Sequence, residues 1–342
     1  MNPYTHTSNE PMRVGDRVRV KSLDAILETL DEQRETGGMP FMPEMLPLCG
    51  QSLTVSKRSD KTCDTVMSTG LRRMTDTVHL DDLRCDGSAH GGCQTNCRFF
   101  WREEWLIREP SDDPSGHDAN DTDEARDEAA VKHLNAVTTL PDTDPNRPVR
   151  YSCQATRVRA GSHDLSVFDL RQYVRDVTSG NASVRRVVPG LLISLFNKYQ
   201  DLSLRLLPRR LQIRDGVRYP FITGTLERTP SERTGLQPGD LVQIKSREEI
   251  EATLDRNNNN RGMSFDVEML KYCGRFAKVK SRVERLIDET SGEMLELANE
   301  CIILDNVVCD GDFHRFCPRG MYPFWREIWL RKVDEHHSTS EV

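Results

Sequence analysis

Short runs in which valine or isoleucine alternates with polar residues punctuate this chain. GDRVRVKS from Gly15 and GDLVQIKS from Gly239 put successive side chains on opposite faces, the pattern of a half-buried strand. A short helical stretch follows each, LDAILETLDE and REEIEATLDR, and then a loop reaching Gly38-Met39 or Gly262-Met263. Beyond Cys49 and Cys273 more strand-like runs appear, clearest toward the C-terminus: RFAKVKSRVERLID, the turn ETSGEML, ELANECIILD and FWREIWLRKV. Four or five such strands predict a small barrel in each half. The period changes in the middle of the chain. From Ser166, a candidate N-cap, the apolar residues Phe168, Leu170, Tyr173, Val174 and Val177 recur at helical spacing, and TSGN at Thr178 to Asn181 supplies a stop. A second helix is predicted from Ser183 to Leu207, bent at Pro189.

The two barrel patterns are copies of one another. Gly15, Gly38, Cys49, Cys85, His90, Cys93 and Trp101 recur 224 residues on as Gly239, Gly262, Cys273, Cys309, His314, Cys317 and Trp325, and 34 of the 95 positions from Val14 to Arg108 match at that offset. Unrelated segments of ordinary composition would match at roughly one position in fifteen, so the repeat is the first fact to settle. The expected organisation is a first repeat over residues 12–108, an acidic disordered linker over 109–149, a helical middle over 150–218 and a second repeat over 219–334. The linker assignment rests on EPSDDPSGHDANDTDEARDE from Glu109, which has too little apolar surface to offset the entropy of ordering. The fold class is mainly β with a helical middle: two small barrels related by internal duplication.

The GDxVxV opening and the long first loop resemble SH3-like barrels, including ribosomal-type KOW modules and the barrel of nitrile hydratase β subunits. The chain as a whole also resembles uncharacterised bacterial proteins that join such repeats to a YxCQAT and DLRQYxxDxTSGN middle, here Tyr151 to Thr156 and Asp169 to Asn181. The first resemblance implies a fold; the second implies no activity.

Net charge is −7 over 342 residues, which argues against a chain that binds nucleic acid over its whole surface. Ten cysteines raise the question of disulfides, but the N-terminus is polar and has no apolar stretch of a secretory signal, so the thiols are expected reduced, in the cytoplasm. No transmembrane segment is expected: VVPGLLISLF, from Val187, is interrupted by proline and glycine and is far shorter than the roughly 18 residues a span requires.

Cysteine and histidine carry the candidate chemistry. In both copies a cysteine, four residues, a histidine, two residues and a second cysteine follow a further cysteine placed 36 residues upstream. Three thiolates and an imidazole complete a tetrahedral structural zinc site. The expected ligands are Cys49, Cys85, His90 and Cys93 in the first repeat and Cys273, Cys309, His314 and Cys317 in the second, giving two zinc ions per chain. Gly87 and Gly311 are expected to form the sharp knuckle. Cys97, where the second copy has Met321, competes with Cys49 as fourth ligand. Cys63, Cys301 and Cys153 have no repeat partner and are expected as free thiols, with more interest in Cys153 because of its YSCQAT setting.

FWRE recurs as well. Read as one strand, it places Trp101, Glu103 and Trp105, and Trp325, Glu327 and Trp329, on a common face, either packing the core or lining an aromatic binding groove. Glu103 and Glu327 are the candidates for acid/base work beside an open zinc. Arg209 and Arg210, in a basic stretch of the middle, are candidates for contact with a partner. Four protein ligands per site point to structural metal, so the functional expectation is a non-enzymatic, zinc-stabilised module that binds a protein or peptide. A zinc enzyme and nucleic-acid binding through the basic middle are the alternatives.

Overall fold

The computed structural model describes residues 10–65, 70–110, 132, 134–140, 148–166 and 168–333. It is mostly sheet with some helix, and one sheet curls into half a barrel. In the N-terminal unit five strands lie in the order Trp101–Arg102, Thr77–Leu80, Ser52–Arg58, Arg17–Val20 and Leu106–Arg108, every neighbour antiparallel. In the C-terminal unit the order is Met294–Leu304, Phe276–Ile287, Leu241–Ile244 and Leu330–Lys332, also antiparallel. The pairings share a register across the offset seen in the sequence. Arg17 faces Thr54 as Leu241 faces Lys278, and Val18 faces Arg108 as Val242 faces Lys332. The Val78–Trp101 pair of the first sheet is matched by an isolated Ile302–Trp325 bridge in the second.

Alternation does the work the sequence assigned to it. Val18, Val20 and Val55 point into the first core, and Val242, Ile244 and Val279 into the second. Each core closes on two tryptophans and a phenylalanine in edge-to-face contact: Phe41 with Trp101 and Trp105, Phe265 with Trp325 and Trp329. FWRE is not one continuous strand. The chain leaves the sheet after Arg102 and makes a 3-10 turn over Glu103–Trp105, repeated at Glu327–Trp329. The turn brings the Trp105 indole N–H to Thr36 Oγ1 at 2.9 Å and the Trp329 indole N–H to Thr253 Oγ1 at 2.9 Å. All four tryptophans are 0% exposed, so they pack the cores and present no ring to a ligand groove.

The middle region is bolted to the first unit by two amide side chains. Gln154, on the short helix Gln154–Arg157, accepts from Phe100 N–H and donates to Phe100 O, both at 2.8 Å, and donates to Pro40 O at 3.0 Å. Asn181 accepts from Arg58 N–H at 2.8 Å and donates to Arg58 O at 2.7 Å. Each amide supplies one residue's worth of strand pairing to backbone that would otherwise be buried without partners. The YSCQAT and TSGN motifs thus hold the fold together. A buried ion pair, Lys61 Nζ to Asp176 Oδ2 at 2.5 Å, adds to the docking, and the strand His163–Asp164 joins a sheet with Gly70–Arg73 and Lys61–Asp64.

The helices differ from expectation at one end only. The first runs over Arg171–Thr178, beginning beyond Ser166, whose hydroxyl instead accepts from Phe168 N–H in a local turn. The second spans Val184–Leu206 from an N-cap at Ser183, with Pro189 inside it. Most of the acidic run from Glu109 to Glu128 lies outside the described residues. Within the expected linker, however, Leu134 is buried in the first core and Thr139–Leu140 pairs with Arg150–Tyr151. Among the described residues no helix is long and apolar enough to cross a membrane.

Candidate metal centres

Two loops build each site. The first is the 3-10 turn Pro43–Leu48, or Val267–Tyr272, which carries Glu44 or Glu268 near its start. The second is the knuckle between Cys85 and Cys93, or Cys309 and Cys317. Gly87 and Gly311 sit there with φ of +77° and +74°, and a Cβ on either would lie 2.1 or 2.5 Å from the carbonyl oxygen of Cys93 or Cys317. Glycine is therefore required both for the backbone conformation and for the space. The loops are stitched to each other by the same bond in both units: Ala89 N–H donates to Glu44 Oε1 at 3.1 Å, and Phe313 N–H to Glu268 Oε1 at 2.6 Å.

Ligand-type atoms of Glu44, Cys85 and His90 all lie within 4.8 Å of one another, as do those of Glu268, Cys309 and His314. Cys85 Sγ is 3.4 Å from His90 Nε2 and 3.8 Å from Glu44 Oε1, and His90 Nδ1 is 3.1 Å from Glu44 Oε1. That last approach lies off the line a hydrogen bond needs, so His90 Nδ1 stays buried without a hydrogen-bond partner, as do Glu44 Oε2 and, in the second site, Glu268 Oε2. Unpartnered buried carboxylate oxygens are costly, and a cation shared with the neighbouring thiol and imidazole would satisfy them. The donor set of one carboxylate, one thiol and one imidazole is one that zinc accepts.

The electrostatics have the same character in the absence of an ion. Burial raises the Cys85 and Cys309 thiols well above their usual range. Burial would also raise the Glu44 carboxyl, but the facing imidazole of His90 overrides it and the net shift is downward. Glu268 is raised by burial. His314 is pushed up to about 9 by its hydrogen bond to Asp266, whose two oxygens each lie 3.1 Å from Nε2. A divalent ion reverses this order, because a coordinating thiol is deprotonated outright.

Of the residues expected as ligands, the structure brings Cys85 with His90 and Cys309 with His314. Cys49 and Cys273 stand outside the two groups. Each caps the C-terminal end of its 3-10 turn and packs against a core. At about 2 Å of rise per residue, five residues of such a turn separate Cys49 from Glu44 by roughly 10 Å, which is why one and not the other reaches the knuckle. Cys93 Sγ is 3.3 Å from Thr95 Oγ1. Cys317 Sγ turns to the other unit and accepts from Cys63 N–H at 3.2 Å. Burial would raise the Cys317 thiol, but hydrogen bonding from Cys63 and the Arg319 N–H brings it to about 7.

Glu44 and Glu268 are the residues that sequence reasoning missed. The signal was present in the repeat: Glu-Met-Leu stands at 44–46 and again at 268–270, ahead of each Cys-Gly. Glu103 and Glu327 are ion-paired to Arg58 and Arg282, and Glu327 also accepts from Thr234 and Gly235 N–H, so both carboxylates serve as anchors for neighbouring chain. Arg209 and Arg210 lie exposed in the turn Arg209–Leu211, with Arg209 2.9 Å from Asp215.

Comparison of the chain with protein-family models, with curated proteins and with solved structures gives no match.

Proposed function

We propose that this is a non-enzymatic, zinc-stabilised interaction protein: two SH3-like barrels descended by duplication, each holding one zinc, that offer the helix Val184–Leu206 to a helical protein partner. The observation that carries the reading is the inverted polarity of that helix. Val184, Val188, Leu192, Leu195, Tyr199, Leu202 and Leu206 are spaced four or three residues apart and are 41–70% exposed, whereas the inward face carries Val187 in the N-terminal half but Gln200, 0% exposed, and Ser203, 1% exposed, in the C-terminal half, where the inversion lies. A helix whose only neighbours were its own protein would turn the leucines inward. The spacing matches the seam of a coiled coil, and Arg185, Lys198 and Arg205 beside it favour an amphipathic partner helix with acidic flanks.

The test uses a synthetic helical peptide with leucine along one seam and glutamate beside it. The peptide binds the wild-type chain in fluorescence anisotropy and does not bind Leu195→Asp/Leu202→Asp, whose fold is unchanged because both sites are on the surface. Binding to anionic vesicles but not to the peptide would replace the protein partner with a membrane. Self-association of the chain that the same double substitution abolishes would replace it with a second copy. The zinc component is tested by metal analysis of protein purified without chelator, with two equivalents expected and less than half an equivalent rejecting it.

An enzymatic reading has one feature in its favour. Cys85 Sγ lies 3.4 Å from His90 Nε2, as a thiol and its base would, with Glu44 on the other side of the ring. The adjoining cavity, however, holds about 30 Å³, room for about one water and not for a substrate.

A further inference from the structure

A second cavity lies where the two units and the long helix meet, and it holds about 270 Å³ against about 30 Å³ beside the first metal centre. Lys57, Arg84 and Arg98 line it from the first unit, Arg186 from the first turn of the helix Val184–Leu206, and Asp310 and Tyr322 from the second unit. Charge sets this cleft apart. Its lining carries four cations, Lys57, Arg84, Arg98 and Arg186, against two carboxylates, Asp82 and Asp310. Adding the ion-pair partners that do not line it, Asp312 on Arg186 and Lys271 on Asp310, leaves the same excess of two positive charges.

The four cations divide by what they already do. Arg84 is used up by the fold: it donates to Asp82, to Asn96 O at 3.1 Å and to Gly320 O at 3.0 Å, and its guanidinium lies 4.0 Å from the centre of the Tyr322 ring. The other three keep donors to spare. Arg98 reaches Asp82 and Asp81 O through Nε and Nη2, Arg186 reaches Asp312 through the same two nitrogens, and Lys57 donates to Asn181 O at 2.8 Å. Among the described residues, Nη1 of Arg98 and Nη1 of Arg186 have no hydrogen-bond acceptor, and Lys57 has no carboxylate within ion-pair distance. These cations also crowd one another. Burial lowers the pKa of Lys57 and the charges of Arg186 and Arg98 lower it further, while Arg98 is lowered by burial and by Arg84.

We infer that this cleft binds a small phosphate dianion, free or as the monoester of a small molecule, between Lys57, Arg98 Nη1 and Arg186 Nη1. Two negative charges match the excess of two, and phosphate oxygens are the acceptors that guanidinium and ammonium donors take most strongly. The volume lies just below the roughly 300–1,000 Å³ of drug-sized ligand sites, which suits a phosphate with few attached atoms. Arg186 stands in the first turn of a 23-residue helix, whose positive end adds to the field in the cleft. Bound there, the phosphate ties the root of the helix that carries the leucine seam to the first sheet. The site needs neither the metals nor the helical partner.

The experiment is calorimetric titration of the full chain with inorganic phosphate and with glycerol 3-phosphate, at about pH 7.5, where both are mainly dianionic. At least one of them binds saturably at one site per chain with Kd below about 1 mM. Arg186→Gln and Lys57→Gln each weaken that binding at least tenfold, the loss of one charge-assisted donor, whereas Arg209→Gln/Arg210→Gln, which removes exposed cations outside the cleft lining, leaves it unchanged. Arg186 is on the surface, so its variant keeps the wild-type circular dichroism spectrum even if Lys57→Gln does not. Tighter binding of glycerol 3-phosphate assigns the cleft to a monoester, and equal or weaker binding assigns it to the free ion. Absence of saturable binding of either probe below about 1 mM, affinity that Arg186→Gln leaves unchanged, or an equal loss in Arg209→Gln/Arg210→Gln overturns the inference.

Discussion

Replacing Asp176 by asparagine tests whether the middle region is structurally part of the first unit. Asp176 and Lys61 are 3% and 2% exposed, 2.5 Å apart, with the lysine also lying over the rings of Tyr173 and Phe316 at 5.2 and 5.9 Å. At that distance and an effective dielectric of about 20, their attraction is roughly 7 kcal/mol, comparable with the several kcal/mol each ion loses on leaving water. The intact pair is therefore near neutral in net terms, and breaking it from one side is not. Asp176→Asn leaves a buried ammonium with no counter-charge and should cost about 3–5 kcal/mol, whereas Lys61→Met/Asp176→Leu should fall within about 1 kcal/mol of wild type or exceed it. Lys61→Met alone lies between the two. Burial already raises the Asp176 carboxyl to about 6, with Lys61 opposing, so once alone it takes up a proton and the cost grows with pH. The measurement is amide hydrogen exchange of the helix Arg171–Thr178, which reads local opening without assuming two-state unfolding of the whole chain. Equal protection in wild type and Asp176→Asn, or a double variant as weakened as Asp176→Asn, would refute the reasoning.

Two further outcomes follow from buried groups. His79 is 1% exposed, donates to Phe99 O at 2.7 Å, and burial lowers its pKa to about 3, so it is neutral in the folded chain and protonated in the unfolded chain between about pH 6.5 and 3. It contributes stability that is complete above pH 6.5 and is lost as pH falls toward 3. His79→Ile, the residue the other unit has at Ile303, should remove up to about 1.4 kcal/mol per pH unit of acid sensitivity in that window. Midpoints of urea unfolding at pH 6.5 and 5 check it, and parallel slopes in the two proteins contradict it. Gly311→Ala should disrupt the second knuckle, through strain at φ +74° and a Cβ 2.5 Å from Cys317 O, at a cost above about 2 kcal/mol. Cobalt uptake at that site should fall with it, and normal uptake with unchanged thermal stability argues that the knuckle relaxes freely.

Local pattern was enough for the elements that local physics controls. Alternation in GDRVRVKS placed Val18 and Val20 in a core, and the spacing from Ser183 to Leu207 located the long helix to within a residue at each end. The paired glycines marked the knuckles because their φ values are a property of one residue. The cysteine–histidine half of each candidate centre was legible too, since five residues of knuckle bring Cys85 to His90 wherever the rest of the chain goes.

What the pattern alone did not contain was which distant groups would meet. Glu44 reaches the knuckle and Cys49 does not because of the pitch of one 3-10 turn and the way it docks. Gln154 meets Phe100 across 54 residues, Asn181 meets Arg58 across 123, and Cys317 meets Cys63 across 254. A side-chain amide that pairs with backbone leaves no periodic trace, because its partner is a peptide group that every residue carries. The same holds for the long helix: its sequence determined a seam of leucines, but only the packing of Gln200 and Ser203 against the loop after it decided that the seam faces outward. Sequence determines which surfaces are apolar; tertiary closure determines which are spent on the protein itself and which are left for something else.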